Sequence, residues 1–317
     1  MNKKLAFALI PLLAAGAAQA QSSVTLYGRI NTTLERQKVE SFDSSTGLVS
    51  NASFIGFKGS EDLGNGLKAG FVLEQEVDAT DGSNSNGFGR QSELYLSGNF
   101  GTLRLGNYNS AAYTATADYI SLHNHDTGTS ADALYAYIVP NTAKIGYVTP
   151  DLAGFTLELG FNPKDNQGTS KNAYDLAASY KLGNFDLGGG YAKWDDAEAY
   201  TLRALYNNGA LALGGYVQYD DNGFGAGLGD RWGARLVAAY YFGASELHAN
   251  VGWADDYDNL NDSAATQFTL GYNYNLSKRT KLYGFYTRVD NDSNAGYGTG
   301  VTGKDFSSFA LGVRHLF

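Results

Sequence analysis

Apolar and polar residues alternate with a period of two along most of the chain. Val24, Leu26, Gly28, Ile30, Thr32 and Leu34 share one face; Thr25, Tyr27, Arg29, Asn31, Thr33 and Glu35 share the other. The pattern returns in Phe155, Leu157, Leu159 and Phe161, in Trp232 to Phe242, in Leu247 to Trp253, and in Phe268 to Leu276. It predicts strands of roughly ten residues, the length that crosses a bilayer when tilted. Short connections rich in Gly, Asn and Ser punctuate it: 61–66, 98–101, 183–184, 207–209, 243–245 and 277–280. Between them lie longer polar segments at 36–50, 79–89, 108–140, 163–172, 193–198, 220–230, 255–264 and 290–304. Counting strands between the breaks gives sixteen. A sandwich would bury its apolar faces in a thin double layer and need protected edges. Here the opposite face is polar throughout, which suits a wide closed sheet around water. The expected fold is all-β, a 16-stranded antiparallel transmembrane β-barrel.

The first twenty residues do not alternate. Lys3 and Lys4 precede an apolar stretch from Leu5 to Ala18, and Ala18-Gln19-Ala20 forms an A-x-A cleavage site. This order predicts a signal peptide over 1–20 and one barrel domain over 21–317. The formal charge of −9 becomes −11 once Lys3 and Lys4 leave. Composition agrees with a sheet: Gly 40, Tyr 23 and Phe 17, with only 17% charged residues. Cys 0 excludes disulfides and thiolate metal sites. No later apolar run is long enough for a membrane helix.

Several stretches carry a family resemblance. These are the start, Gln21-Ser22-Ser23-Val24-Thr25-Leu26-Tyr27-Gly28; the segment from Ile55 to Ala69; Gly89-Arg90-Gln91 with Leu94 to Gly106; and the end, Leu311 to Phe317. Together they resemble the general diffusion porins of Gram-negative bacteria, most closely the betaproteobacterial type. The resemblance implies an outer-membrane homotrimer in which the third loop folds into each barrel. It also implies that Phe317 is read by the barrel-assembly machinery, and that lipid and lipopolysaccharide surround the outer wall.

In this frame segment 108–140, the longest connection, is the candidate constriction loop, with Asp118, Asp126 and Asp132 as its acids. Alternation and resemblance nominate Arg29, Lys58, Lys68, Arg90, Arg104, Lys144 and Arg314 as the facing basic wall. Strict alternation places Arg90 on the outward face with Leu94, so an inward Arg90 requires a bulge. Phe54 departs from the family, which usually has Arg there; parity turns its ring into the pore. The family also tends to have Arg two or three residues before the position of Asn141, where this chain has Ile138 and Val139; Lys144 is a candidate substitute for that lost charge. The net charge and acidic loops favour weak cation preference. The expected function is passive diffusion of ions and small hydrophilic solutes, filtered by size and charge. The alternative is a substrate-selective channel for sugars or small organic acids, with Phe54, Tyr27, Tyr95 and Tyr241 as stacking surfaces. The four histidines form no nucleophile or metal constellation, and no nucleotide or phosphate motif is present. No enzyme activity, metal, cofactor or nucleic-acid partner is therefore expected.

Overall fold

The computed structural model describes residues 23–84, 87–122, 127–164 and 171–317. The proposed signal peptide, His123, His125 and Asp126 lie outside the described residues. The chain begins with β1 (Ser23–Val39), β2 (Ser45–Ser50), β3 (Phe54–Gly64), β4 (Leu67–Glu76), β5 (Gln91–Gly98) and β6 (Gly101–Asn107). One helical turn, α1 (Ala111–Ala115), follows, then β7 (Lys144–Val148), β8 (Phe155–Asn162), β9 (Ala173–Leu182) and β10 (Phe185–Trp194). The remainder is β11 (Ala197–Asn207), β12 (Leu211–Asp221), β13 (Asp230–Phe242), β14 (Ser245–Ala254), β15 (Ala265–Asn275), β16 (Thr280–Asn291) and β17 (Phe306–Leu316).

Apart from β2 and β3, which both pair with β1, each strand pairs antiparallel with its sequence neighbour, and β1 pairs with β17 from Arg29↔Leu316 to Val39↔Phe306, which closes the sheet. β2 and β3 are two parts of one barrel strand, so the barrel has sixteen. Along this strand Thr32 pairs with Ser50 but Arg29 with Phe54. One extra residue is thus accommodated at Asn51-Ala52-Ser53, where Ala52 has φ 52°. This is a β-bulge.

The two faces divide as the alternation predicts. Leu26, Leu34, Leu202, Leu236 and Phe309 are exposed on the outer wall, Leu202 by 67% and Leu236 by 66%. Such surface is at home in hydrocarbon. Inward positions carry polar and charged residues, and the apolar core is small and lies inside the barrel. There Ala112, Ile138 and Val139 of segment 108–140 pack on Ala173, Ala192 and Ala199 of the wall.

One rim has tight turns, such as Asn65-Gly66, whose φ values of 53° and 79° are those of a two-residue hairpin. The other rim is less uniformly long than expected. Segment 36–50 is mostly strand: β1 runs to Val39 and β2 restarts at Ser45. Segment 193–198 contains only a turn at Asp195-Asp196, with Asp195 at φ 56°. In both hairpins the ladder runs on beyond the alternating stretch, to Gln37↔Ser45 and to Trp194↔Ala197. Pairing continues there without alternation in hydropathy.

Candidate functional site

The described parts of segment 108–140, residues 108–122 and 127–140, lie inside the barrel because the wall satisfies their backbone. Ser110 caps α1, its Oγ accepting from Tyr113 N at 3.2 Å. Asp175 on β9 accepts from Ala111 N at 2.6 Å, Ala112 N at 2.9 Å and Ser110 Oγ at 3.1 Å. Lys144 Nζ balances this carboxylate at 3.2 Å, with both side chains buried. Two glycines of β10 admit the helix: a Cβ on Gly190 would meet Ala112 Cα at 2.7 Å, and one on Gly188 would meet Ala115 O at 2.7 Å.

Further along, the segment crosses to the bulge, where Thr129 N donates to Asn51 Oδ1 at 3.2 Å. It returns along β15, β13 and β12. Gln267 Oε1 accepts from Ala133 N at 3.0 Å while its Nε2 donates to Ala131 O at 2.8 Å. Gln218 does the same for Ala136, accepting at 2.8 Å and donating at 3.2 Å. Arg231 Nη2 donates to Leu134 O at 2.7 Å. An amide side chain offers both a donor and an acceptor, so one Gln serves a peptide as a neighbouring strand would. Asn51, Gln218, Gln267 and Arg231 were not nominated from sequence. For Gln218, Gln267 and Arg231 the one signal was a long polar side chain at an inward position; Asn51 lies in the bulge between β2 and β3, where parity gives none.

The nominated residues separate into those that converge and those that do not. Arg29, Phe54, Arg90 and Lys58 converge around Tyr27 and Glu74. The Arg29 and Arg90 guanidinium carbons stand 5.4 and 4.6 Å from the Phe54 ring centre. Tyr27 meets Phe54 edge-on at 5.9 Å, and Lys58 Nζ lies 4.7 Å over the Tyr27 ring. Glu74 accepts from Tyr27 OH at 2.7 Å and Arg90 Nε at 2.8 Å. Arg29 also donates to Ala52 O in the bulge at 2.8 Å. Arg90 is inward without a bulge of its own, contrary to strict alternation. It precedes the first residue of β5, so strand parity does not bind it. Arg314 extends the patch on β17, opposite Asn31.

Asp118 belongs to this group from the loop side. Burial raises its pKa, and Arg90 and Arg29 act in the opposite direction. Asp132 turns the other way: Arg235 Nη2 lies 2.8 Å from it, and Tyr216 OH donates to it at 2.6 Å. Arg104 is held by Glu93 at 2.6 Å and Glu158 at 2.5 Å, 4.0 Å over Tyr108. Lys144 is buried against Asp175 under the loop, so it does not stand in for the charge absent at Ile138 and Val139. Lys68 stands opposite Asp62 in the β3–β4 ladder beside the Asn65-Gly66 turn, at the rim.

A closed, water-facing sheet with an apolar outer wall and a polypeptide segment pinned inside its lumen is a membrane channel of the porin class. The sequence matches the Gram-negative porin family over residues 6–294. It is 36% identical to outer membrane porin protein 32 of Delftia acidovorans over 99% of this chain and all of that one. It is 32% identical to the major outer membrane protein P.IB of Neisseria meningitidis over 84% of this chain and 88% of that protein. The fold is that of the anion-selective porin from Comamonas acidovorans, with a TM-score of 0.79, 29% identity, and 94% and 100% of the two chains covered. The chain belongs to the Gram-negative porin family and is a passive diffusion channel of the outer membrane.

Proposed function

We propose that segment 108–140 is the eyelet of this pore. Solutes are filtered there by size and by a transverse field between Asp118 and the basic patch of Arg29, Lys58 and Arg90. The observations that carry this reading are the anchoring of the segment's described residues to Asp175, Gln218 and Gln267 of the wall, and the convergence of Arg29 and Arg90 on Phe54. Charges fixed on opposite sides of a narrow, low-dielectric passage orient dipolar solutes and penalise apolar ones. Arg29, Lys58 and Arg90 outnumber Glu74 and Asp118 in this patch, which favours anions. This replaces the cation preference suggested by net charge, because acids such as Asp195, Asp196, Asp255 and Asp256 sit at the rim, where salt screens them. The anion-selective Comamonas relative supports the same sign.

The mature chain, residues 21–317 after loss of 1–20, acts as a homotrimer in lipid and lipopolysaccharide, assembled by machinery that reads Phe317. Family resemblance supports these assignments. Reversal potential in planar bilayers under a KCl gradient tests the filter. Chloride should be preferred, and more strongly in Asp118→Asn; a potassium preference, or no change in the variant, would sink the assignment.

A further inference from the structure

A second feature faces the lumen higher up, above the point where segment 108–140 leaves the wall. A cavity of about 310 Å³ opens there between Tyr137, Trp194, the turn Asp195-Asp196, Asn222 and Gly225. Trp194 ends β10 on the inward face, two residues beyond buried Ala192, and packs on the cluster around Ile138 and Val139. The other two tryptophans, Trp232 and Trp253, are exposed on the outer wall. Asp195 is bridged by Lys171 at 2.9 Å. Asn222 is fixed by its own bonds, Nδ2 donating to Asp196 O at 3.3 Å and Oδ1 accepting from Gly229 N at 3.1 Å. Of these residues only Tyr137, Ile138 and Val139 belong to the eyelet segment, and the charge filter uses none of them.

We propose that this cavity is a saccharide subsite at the pore mouth, one that holds a single sugar ring before passage. It goes beyond the eyelet reading and rests on it only for the direction of transit. A pyranose has a flat face of C–H groups and an edge of hydroxyls. Indole and phenol rings take the first, being large, rigid and apolar with a polar tip. Carboxylates accept from the second in charge-assisted hydrogen bonds. The volume falls at the lower end of the roughly 300–1,000 Å³ usual for ligand sites, which suits one ring. Charge chooses among solute classes. Asp196 disfavours anions. Lys171 already balances Asp195, which leaves too little net charge to select an organic cation. Purely apolar solutes would displace water from Asp196 and offer it no hydrogen-bond donor in return. So small and open a site binds on the order of millimolar.

Tryptophan emission tests this directly, because Trp194 is the sole inward tryptophan. In a Trp232→Phe/Trp253→Phe variant folded in detergent, maltose should change Trp194 emission saturably. Gly225→Leu should weaken that response at least fivefold. An added Cβ at Gly225 meets nothing closer than Leu228 Cδ1 at 3.4 Å, so the leucine fills the cavity without unseating the fold. An unsaturable response, or one unaffected by Gly225→Leu, would overturn the subsite. A saturable response to tetramethylammonium but not to maltose would overturn the saccharide class. Displacement of maltose by added lipopolysaccharide would reassign the cavity to a neighbouring headgroup and overturn a solute role. In bilayers maltose should add current noise that Gly225→Leu removes. Quenching without noise in a conducting protein would overturn the placement in the solute path. A protein that binds maltose in detergent yet conducts nothing would count against the channel reading alone.

Discussion

Asp118 and Asp132 sit on the same segment and differ in what they meet. Asp132 is consumed by Arg235 and Tyr216 on the wall. Asp118 is pushed towards its neutral form by burial, with Arg90 and Arg29 opposing from the patch it faces. Its pKa therefore lies above the usual carboxylate value of about 3.9. The sign for transport follows. As pH falls through that raised pKa, Asp118 gains a proton and the eyelet loses one negative charge. Chloride preference should rise in the wild type and approach that of Asp118→Asn, whose own preference moves less over the same range. Reversal potentials between about pH 4 and pH 7 read the difference. Two curves parallel at every pH would remove Asp118 from the ion path.

At the scale of elements, the bulge between β2 and β3 and the loop at Gly128 form one joint. Gly128 has φ 89°, and a Cβ there would fall 2.0 Å from Asn51 Oδ1. Gly128→Ala adds backbone strain of about 1–3 kcal/mol to a clash in the socket. The tip should leave the wall while the strand ladders stay intact. Single-channel conductance and the polyethylene-glycol exclusion size should both rise, and the barrel's melting temperature in detergent should change little. Unchanged conductance would mean that the tip does not bound the pore.

This joint also marks where the sequence stops being legible. Parity placed Arg29, Phe54 and Lys58 inward correctly, because they lie in strands whose other face meets hydrocarbon. It placed Arg90 outward because parity was carried past the end of β5. It missed the continuation of β1 to Val39, where both faces are wet. The roles of Asn51, Gln218 and Gln267 depend on which peptide of the inserted segment arrives opposite them. No local pattern encodes that meeting. Lys144 and Asp132 follow the same logic: their charge is visible in the sequence, but their neutralising partners, Asp175 and Arg235, are distant in the chain.

The whole molecule distributes its residues inside out, with leucines and aromatics on the outer wall and charges around the lumen. No edge strand is left free, provided that β1 meets β17. The last contacts of that seam are Gly28 N to Phe317 O at 3.1 Å and Phe317 N to Gly28 O at 3.2 Å. The terminal ring lies over Gly28, where a Cβ would meet Phe317 Cζ at 2.5 Å. Two roles for Phe317 are thereby separable. If it only seals the seam, deleting it removes two hydrogen bonds, each worth about 0.5–1.5 kcal/mol net. The pairs from Arg29↔Leu316 to Val39↔Phe306 would remain to close the barrel. Refolding from urea into detergent should then proceed with a slightly lower melting temperature, seen as the heat-modifiable band on electrophoresis. If Phe317 is also the address read during assembly, the same deletion should reduce the folded protein in outer-membrane fractions far more than it reduces refolding yield. Equal losses in both assays would make Phe317 a structural seal and nothing more.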